Sequence, residues 1–316
     1  MSAGARRTIG RSRACWRAVL ATALTTMLGG AAAAVSTSEL DVIAPQAPVA
    51  QGDVFLVTVR QLPAGARVDG SWQDAPLGFA AVSTTEVLAL VGVDLVTQPG
   101  KYALAVRVRV PGAVVATWER PIEVVAKDFG VQHLTLPKHM VHLDRPTLAR
   151  VKREAALLSV LWPKRTRERY WQGGFMAPVP GQLGTSFGIA RILNGEPRSA
   201  HSGVDLHAAL GEEVRATNRG RVALVGSYFF YGLAVVMDHG MGLYSMYFHL
   251  SKVNVALGDV VEQGGVIGLA GSTGRSTGPH LHWGVRLAGA RVDPFALVRA
   301  TRPAPAPDTA GKGGTP

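Results

Sequence analysis

Cysteine is almost absent from this 316-residue sequence, which contains one, Cys15. Cys15 lies near the amino terminus in a basic and apolar segment, so the chain after it has no thiol for a disulfide, for thiol catalysis or for a cysteine-ligated metal. Any metal site must therefore be built from histidine and carboxylate side chains. A His-Glu-x-x-His segment is also missing, which excludes the helical zinc-protease mechanism.

Aromatic residues are scarce, at 7% of the sequence, and no stretch interleaves them with a run of basic residues. A nucleic-acid-binding surface usually combines the two, so we expect no nucleic acid partner. The formal charge is +11, and it falls to +6 without five arginines near the amino terminus. A mildly basic protein of this kind is attracted to anionic polymers of the cell envelope.

Residues 1–34 are typical of a secretory signal peptide, in which basic residues precede a short apolar run and small residues follow for cleavage. The basic residues are Arg6, Arg7, Arg11, Arg13 and Arg17. The apolar run is short and contains three threonines, which favours export over a membrane anchor. We predict a periplasmic or extracellular protein with no membrane span after cleavage; Arg6-Arg7 leaves the Sec and twin-arginine routes open.

The pattern after the leader predicts a mainly β protein with two domains. The predicted segments are a tether (35–48), an antiparallel β-sandwich (49–126), a linker with an amphipathic helix (127–172), a second antiparallel β domain (173–300) and a disordered tail (301–316). Short β-rich runs at 53–60, 87–95, 101–110 and 114–118, separated by Pro-Gly turns, indicate the sandwich. The sandwich has no cluster of His, Asp or Glu, which favours a binding, spacing or gating role.

One helix is predicted in the linker. Asp144-Arg145-Pro146 offers an N-cap followed by proline in the first turn. Apolar residues then recur at steps of three and four until Pro163, at Leu148, Val151, Ala155, Leu158 and Trp162. Strand patterns at 220–226, 233–239, 243–250, 266–270 and 281–287 follow in the second domain, where we predict no helix.

His280-Leu281-His282 contains two histidines that point to the same side of a predicted strand, about 6.6 Å apart at their bases. One of them can bind a metal while the other reaches a substrate or a bound water. His201-Ser202-Gly203-Val204-Asp205 supplies an imidazole and a carboxylate from one loop that enters a strand. Together with one histidine of the pair, these side chains form a three-ligand zinc set with a fourth position open.

His249 lies near the end of a predicted strand in which Ser245, Tyr247 and His249 share a face. A histidine that is not a ligand could there accept a proton from water or donate a hydrogen bond to an oxyanion. His207 and His239 lie near these motifs, and we expect them to support the site indirectly or to lie on the surface. Residues 271–278 (GSTGRSTG) lack the Gly-Lys-Ser/Thr ending of a phosphate loop, so we expect a close turn beside the site.

These motifs, in this order, resemble the lysostaphin-like zinc endopeptidases of bacterial cell walls over residues 175–298. The resemblance is carried by Asn194-Gly195, His201-Ser202-Gly203-Val204-Asp205-Leu206, Gly211, Val214, Asp238-His239-Gly240, Tyr247-Phe248-His249-Leu250, Gly258-Asp259-Val260-Val261, Gly271-Ser272-Thr273-Gly274 and Gly278-Pro279-His280-Leu281-His282. The sandwich resembles the amino-terminal domain of some exported members of that family. A groove tyrosine of the family has no counterpart, because residues 191–199 contain none.

The resemblance implies a role for five side chains. His201, Asp205 and His282 would bind Zn²⁺, and His249 and His280 would be the catalytic pair. The implied activity is an exported zinc endopeptidase that cuts peptide cross-links of peptidoglycan, within a groove on a largely antiparallel sheet. Peptidoglycan peptides are then the expected partner.

Two other functions remain open at this point. One is a catalytically silent module that binds peptidoglycan and regulates another hydrolase, and the other is a zinc carboxypeptidase of the same compartment. A further hypothesis is that the sandwich covers the groove and keeps the enzyme latent, in which case deletion of residues 35–165 is expected to raise activity.

Overall fold

The computed structural model describes residues 41–303, and the chain in this range is mainly β, as the sequence predicts. The predicted signal peptide and residues 304–316 of the predicted tail lie outside the described range. Within residues 41–303, no helix is long and apolar enough to cross a membrane.

Two facing sheets form the amino-terminal half. Its strands are β1 (Asp41–Ile43), β2 (Val49–Ala50), β3 (Val54–Arg60), β4 (Arg67–Trp72), β5 (Ala75–Pro76), β6 (Ala80–Ala81), β7 (Val87–Gly92), β8 (Gly100–Val110) and β9 (Ala113–Val125). One sheet has the order β1-β3-β7-β6 and the other β2-β9-β8-β4-β5. Alternate residues of β3, β8 and β9 point inwards and share one apolar core around Trp72, as expected of a sandwich.

The sandwich differs from the prediction in two places. Strand β1 lies within the segment that we expected to be a tether, and it pairs with β3 through Val42 and Val59. Strand β2 pairs with β9 in parallel, so the second sheet is not antiparallel throughout. Neither strand carries a long β pattern, because each is only two or three residues long and its partner supplies the pairing.

The linker is more ordered than its sequence pattern indicates. It contains β10 (Val131–Leu134), α1 (Lys138–Val141) and α2 (Arg145–Ser159). Helix α2 begins as predicted, with the Asp144 side chain accepting a hydrogen bond from the Thr147 backbone at 2.9 Å. Its predicted apolar stripe is largely solvent-exposed, since Leu158 is the one buried residue of α2. The helix therefore packs through its carboxyl end, where Leu158 contacts the apolar cluster that includes Tyr228 and Tyr244.

The second domain is built on a large, mostly antiparallel sheet. Its elements are β11 (Leu183–Thr185), β12 (Ala190–Leu193), β13 (Glu196–Arg198), β14 (Gly203–Leu206), β15 (Glu213–Arg215), β16 (Gly220–Tyr228), β17 (Gly232–Gly240), β18 (Leu243–Leu250), β19 (Lys252–Val253), β20 (Val260–Val261), β21 (Val266–Leu269), β22 (Leu281–Leu287), β23 (Ala290–Val292) and α3 (Pro294–Thr301). The main sheet has the order β11-β14-β22-β18-β17-β16-β20, with β23 beside β22. Every strand predicted here is present.

Helix α3 contradicts the prediction of no helix in this domain. It begins with an Asp-Pro pair, and the Asp293 side chain caps the Phe295 backbone N–H at 3.0 Å. This is the same start signal that identified α2. The helix is short and its apolar residues, such as Leu297, are buried against the sheet, so no long amphipathic period marks it in the sequence.

The sandwich packs against the second domain through apolar and charged contacts. Leu90 and Leu95 of the sandwich belong to the same apolar cluster as Leu287 and Val292 of the sheet. Beside them, Arg291 Nη2 donates to Asp94 Oδ1 at 2.6 Å. The sandwich thus lies along β22, β23 and α3, and the core of the second domain extends into it.

Candidate metal centre

Strand pairing brings together the side chains expected to bind metal. Strands β14 and β22 are antiparallel, and Asp205 lies directly opposite His282 in their register. His201 precedes β14, where its backbone N–H donates to the Ile189 carbonyl at 3.0 Å. His201 is almost completely buried, with 3% of its surface exposed. The long-range pairing therefore places three groups from two distant parts of the chain, residues 201–205 and His282, at one point.

The three potential ligand atoms form a small triangle. His201 Nε2 lies 2.9 Å from His282 Nδ1 and 3.0 Å from Asp205 Oδ1, and the third edge is 2.8 Å. Ligands of a tetrahedral zinc ion are about 3.3 Å apart, so the triangle has nearly the size that the ion requires. Among residues 41–303 this is the one group of three or more such side chains within ligand distance of one another.

The tautomer of His201 also favours a cation between the three side chains. His201 Nδ1 lies 3.0 Å from the Ser186 carbonyl oxygen, which can only accept, so a neutral His201 ring carries its lone pair on Nε2. That lone pair faces the Asp205 carboxylate, and the two repel unless a proton or a metal ion lies between them. The donor set of two imidazoles and one carboxylate is one that zinc binds.

Burial and hydrogen bonding set the charge of the ligands. Burial alone would raise the pKa of Asp205, but its close contacts with the His201 and His282 rings hold it well below its usual range, so the carboxylate is ionised. Burial lowers the pKa of His282 to about 4, despite its hydrogen bond with Asp205. A neutral imidazole and a carboxylate are the forms that bind a metal.

Three neighbours orient these potential ligands, and none of the three was assigned a role from the sequence. Arg191 Nη2 donates to Asp205 Oδ2 at 2.9 Å, which leaves Oδ1 for the triangle. Phe248 stacks on the His282 ring with centroids 5.4 Å apart and planes 4° apart. A Cβ on Gly203 would lie 2.6 Å from His282 Nε2, so glycine is required for the ring to sit there. Neighbours of this kind commonly fix metal ligands.

His249 and His280 lie next to the triangle, with ring centroids 4.7 Å apart. His249 Nδ1 donates to the Thr273 carbonyl at 2.8 Å, and His280 Nδ1 to the Gly278 carbonyl at 2.9 Å. Each ring therefore keeps the lone pair of Nε2 for another partner. Burial lowers the pKa of His249 to about 3, so this ring is neutral.

His249 reaches the site only because its backbone departs from strand geometry. Regular alternation would place it on the face of Tyr247, which is buried in the core on the far side of the sheet from His282. The φ angle of His249 is +64°, in the left-handed region, and the pairing of β17 with β18 is irregular near this end. The prediction that Ser245, Tyr247 and His249 share a face is therefore wrong.

The loop of residues 271–278 supplies the two carbonyls that hold the catalytic candidates, those of Thr273 and Gly278. It therefore makes the close turn beside the site that we expected. The facing wall of the groove comes from the linker: Gln132, Leu134 and Leu136 line the same cavity as Asp205 and His280. Strand β10 is held there by parallel pairing with β12. No repeating pattern marks this wall in the sequence.

The two remaining histidines of the motif region lie apart from the triangle. His207 is exposed at the end of β14. His239 is fully buried, with Nδ1 2.9 Å from the Arg219 carbonyl and Nε2 2.7 Å from Ser245 Oγ. His239 is therefore a hydrogen-bonded core residue, neither on the surface nor in contact with the ligands.

His239 makes the stability of the fold sensitive to acid. Burial lowers its pKa to about 4, whereas the unfolded chain has a histidine pKa of about 6.5. Between these values the unfolded chain binds a proton that the folded chain does not, so stability falls as the pH drops through this window, by up to about 3 kcal/mol. We expect the metal-free His239→Gln variant to lose less unfolding free energy than metal-free wild type between pH 7 and pH 4. Urea titrations at both pH values measure this, and equal losses would contradict it.

The comparisons with known proteins agree on one family. Residues 199–294 match the family described as peptidase family M23. A crystal structure of a candidate peptidase M23 from Pseudomonas aeruginosa superposes with a TM-score of 0.61 and 33% identity, over 80% of this chain and 96% of that one.

Curated relatives match over the second domain. DD-carboxypeptidase/endopeptidase Mpg of Neisseria meningitidis is 44% identical over 101 residues, which is 32% of this chain and 23% of the relative. Peptidoglycan DD-endopeptidase ShyB of Vibrio cholerae is 39% identical over 29% of this chain and 22% of the relative. Lysostaphin of Staphylococcus simulans is 38% identical over 36% of this chain and 22% of the relative. The chain thus matches less than a quarter of the length of each.

Proposed function

The chain belongs to peptidase family M23, and from this premise we propose that it is an exported zinc endopeptidase that hydrolyses the peptide cross-links of peptidoglycan. The observation that carries the proposal is the triangle of His201, Asp205 and His282 with two further histidines beside it. The names of the curated relatives, which include a peptidoglycan DD-endopeptidase, support the choice of substrate.

In this proposal His201, Asp205 and His282 hold the ion. Bound zinc would polarise the carbonyl of the scissile peptide bond and lower the pKa of water towards roughly 7. Arg191 keeps the Asp205 carboxylate aligned, and Phe248 keeps the His282 ring in its plane. The largely buried surroundings lower the local dielectric constant and so strengthen the electrostatic interactions among these side chains.

His249 and His280, the proposed catalytic pair, transfer the proton of the attacking water. His249 and His280 each have Nδ1–H tied to a backbone carbonyl, so Nε2 of either ring can accept a proton from the attacking water. A ring that carries a proton on Nε2 can donate a hydrogen bond to a developing oxyanion or give the proton to the leaving amine. The two rings are equivalent in this respect.

The test is the product pattern from isolated peptidoglycan. We expect the purified, zinc-loaded protein to release cross-link fragments, identified by mass spectrometry of digests of defined muropeptides. Trimmed peptide tails with intact cross-links would identify a carboxypeptidase instead. Release of no fragment by zinc-loaded protein would favour a binding module, which the complete set of five side chains argues against.

A substitution in the groove wall tests whether a covered groove keeps the enzyme inactive, and it does so more specifically than deletion of residues 35–165. That deletion would also remove Leu90 and Leu158 from the packed cores. Asn194 holds the wall specifically: its Oδ1 accepts from the Leu136 N–H and its Nδ2 donates to the Leu136 carbonyl, both at 2.9 Å. Among residues 41–303, the sandwich contributes no side chain to the cavity beside the metal cluster.

We expect Asn194→Gly to raise the rate of peptidoglycan cleavage severalfold, because it frees the Leu136 end of the wall while the pairing of β10 with β12 remains. Glycine tolerates the φ of +50° at this position, so the change removes the amide without straining the backbone. Turbidity loss of purified cell wall measures the rate. Asn254→Gly, at an exposed position away from the groove, is the control. An unchanged or lower rate in Asn194→Gly would indicate that the wall positions the substrate.

A further inference from the structure

Three arginines of the second domain line the groove beside the metal triangle: Arg191, Arg198 and Arg275. Two of them have a carboxylate partner. Arg191 pairs with Asp205 at 2.9 Å, and Arg198 pairs with Glu196 at 2.6 Å. Among residues 41–303, Arg275 has no carboxylate oxygen within 4.0 Å, so its charge is not balanced by a direct partner.

The surroundings of Arg275 make its unbalanced positive charge unfavourable for the stability of the protein without substrate. The guanidinium is half-buried, its Cζ lies 4.1 Å from the centre of the Phe230 ring, and its Nη1 lies 3.4 Å from the Met140 carbonyl oxygen. Burial lowers the pKa of Arg275, and the charges of Arg191 and Arg198 lower it further. A half-buried cation near two others destabilises the free protein unless an anion joins it.

Arg275 is also well placed with respect to the chemistry. It lies two residues after Thr273, whose carbonyl holds His249, and it lines the same cavity as His249 and His282. The Phe230 ring covers one face of the guanidinium, which leaves N–H groups at its edge for a ligand in the groove. A planar fork of N–H donors matches a carboxylate.

The other charges of the groove do not satisfy Arg275. His249 and His282 line the same cavity, but an imidazole carries no negative charge in either protonation state. Asp205 is already bound by Arg191 and by the two histidines of the triangle. A divalent ion in the triangle would make the groove more positive still. The missing anion must therefore come with the substrate.

We propose that Arg275 binds a free carboxylate of the substrate peptide next to the bond that is cut. The substrate is then a cross-link built on a diamino acid with a free carboxyl group, and not an uncharged glycine bridge. This inference rests on the proposed function and specifies its substrate. Arg275 acts in it as a specificity-determining residue, while the metal cluster and the two histidines carry out the hydrolysis.

The experiment compares two synthetic cross-linked muropeptide dimers that differ only in this carboxyl, free in one and amidated in the other, and includes a glycine-bridged dimer as a third substrate. With the zinc-loaded full chain, we expect kcat/KM to favour the free acid by about 10- to 100-fold, the usual contribution of a hydrogen bond to a charged group. Arg275→Gln should lose this preference through a higher KM for the acid, with kcat nearly unchanged. Arg275→Lys should keep part of it, because the charge remains without the fork.

Arg286→Gln is the matched control. Arg286 is also half-buried, lies 4.8 Å from the centre of the Trp162 ring and, among residues 41–303, lacks a carboxylate within 4.0 Å, but it does not line the groove. We expect this variant to keep the wild-type ratio between acid and amide. Loss of the ratio in Arg286→Gln, or its retention in Arg275→Gln, would overturn the proposal.

The outcomes for wild type separate this inference from the function on which it rests. Equal cleavage of acid and amide, or cleavage of a glycine-bridged dimer in preference to both, would overturn the role of Arg275 and leave the endopeptidase intact. Cleavage of none of the three dimers by zinc-loaded wild type would contradict the endopeptidase itself, and the subsite with it.

Discussion

His249→Ala is expected to retain bound zinc and to lose turnover by about 10²- to 10⁴-fold, the usual contribution of a general acid or base. The reason is geometric: the His249 ring lies beside the metal triangle and is not one of its three members. Zinc content by elemental analysis and the rate of muropeptide cleavage measure the two effects on one sample. Cell-wall digestion by His249→Ala at the wild-type rate would refute the catalytic role.

His201→Ala provides the contrast, because it removes one corner of the triangle. We expect it to lose both zinc and turnover, since two ligands bind the ion far more weakly than three. His207→Ala is the control for a histidine of the same strand region, because His207 is exposed and is not part of the triangle. It should keep metal and rate. Full zinc content in His201→Ala would show that the ion is held elsewhere.

Removal of zinc is the second large effect that we expect. A chelator should abolish hydrolysis, and one equivalent of Zn²⁺ should restore it. Zinc should also stabilise the fold, by about 4 kcal/mol when free metal exceeds the dissociation constant a thousandfold, because it binds only the folded arrangement of β14 and β22. The melting temperature with and without zinc measures this. The His201→Ala variant should show neither the recovery nor the stabilisation.

Hydrolysis that persists in protein shown to be free of metal would contradict the zinc mechanism directly. A stabilisation by zinc of equal size in His201→Ala would indicate binding at another place in the chain. The acid sensitivity that we assign to His239 is a property of the core, so it should remain in the metal-free protein and can be measured separately.

The strands of the second domain were predictable because their side chains alternate and glycine-bearing turns separate them. For β18 and β22, the predicted and observed strands begin and end at the same residues. Helix α3 was missed although Asp293-Pro294 carries the same start signal as Asp144-Arg145-Pro146, since eight residues are too few for a clear period. Strand β10 was missed for a different reason: it is four residues long and gains its order from pairing with β12.

The sequence selected the five candidate site residues, but it did not determine where their side chains lie. Their motifs made each of them a candidate, but the alternation rule placed His249 on the wrong face. The left-handed φ at His249 accompanies an irregular pairing of β18 with β17 and a hydrogen bond to Thr273, both of which involve residues outside β18. Arg191 shares no motif with Asp205, so their contact could not be read from the chain.

By itself the sequence determined the kinds of chemistry available: with no thiol beyond Cys15, a metal had to be held by histidine and carboxylate, and the alternation of His280 and His282 directed both to one side of a strand. Only the tertiary structure decided which atoms meet, that Arg275 is left without a carboxylate while Arg191 and Arg198 have one, and that the linker forms the groove wall. The physical reason is that local patterns follow from side-chain periodicity along one strand, whereas convergence and charge balance depend on strand pairing between residues far apart in the chain.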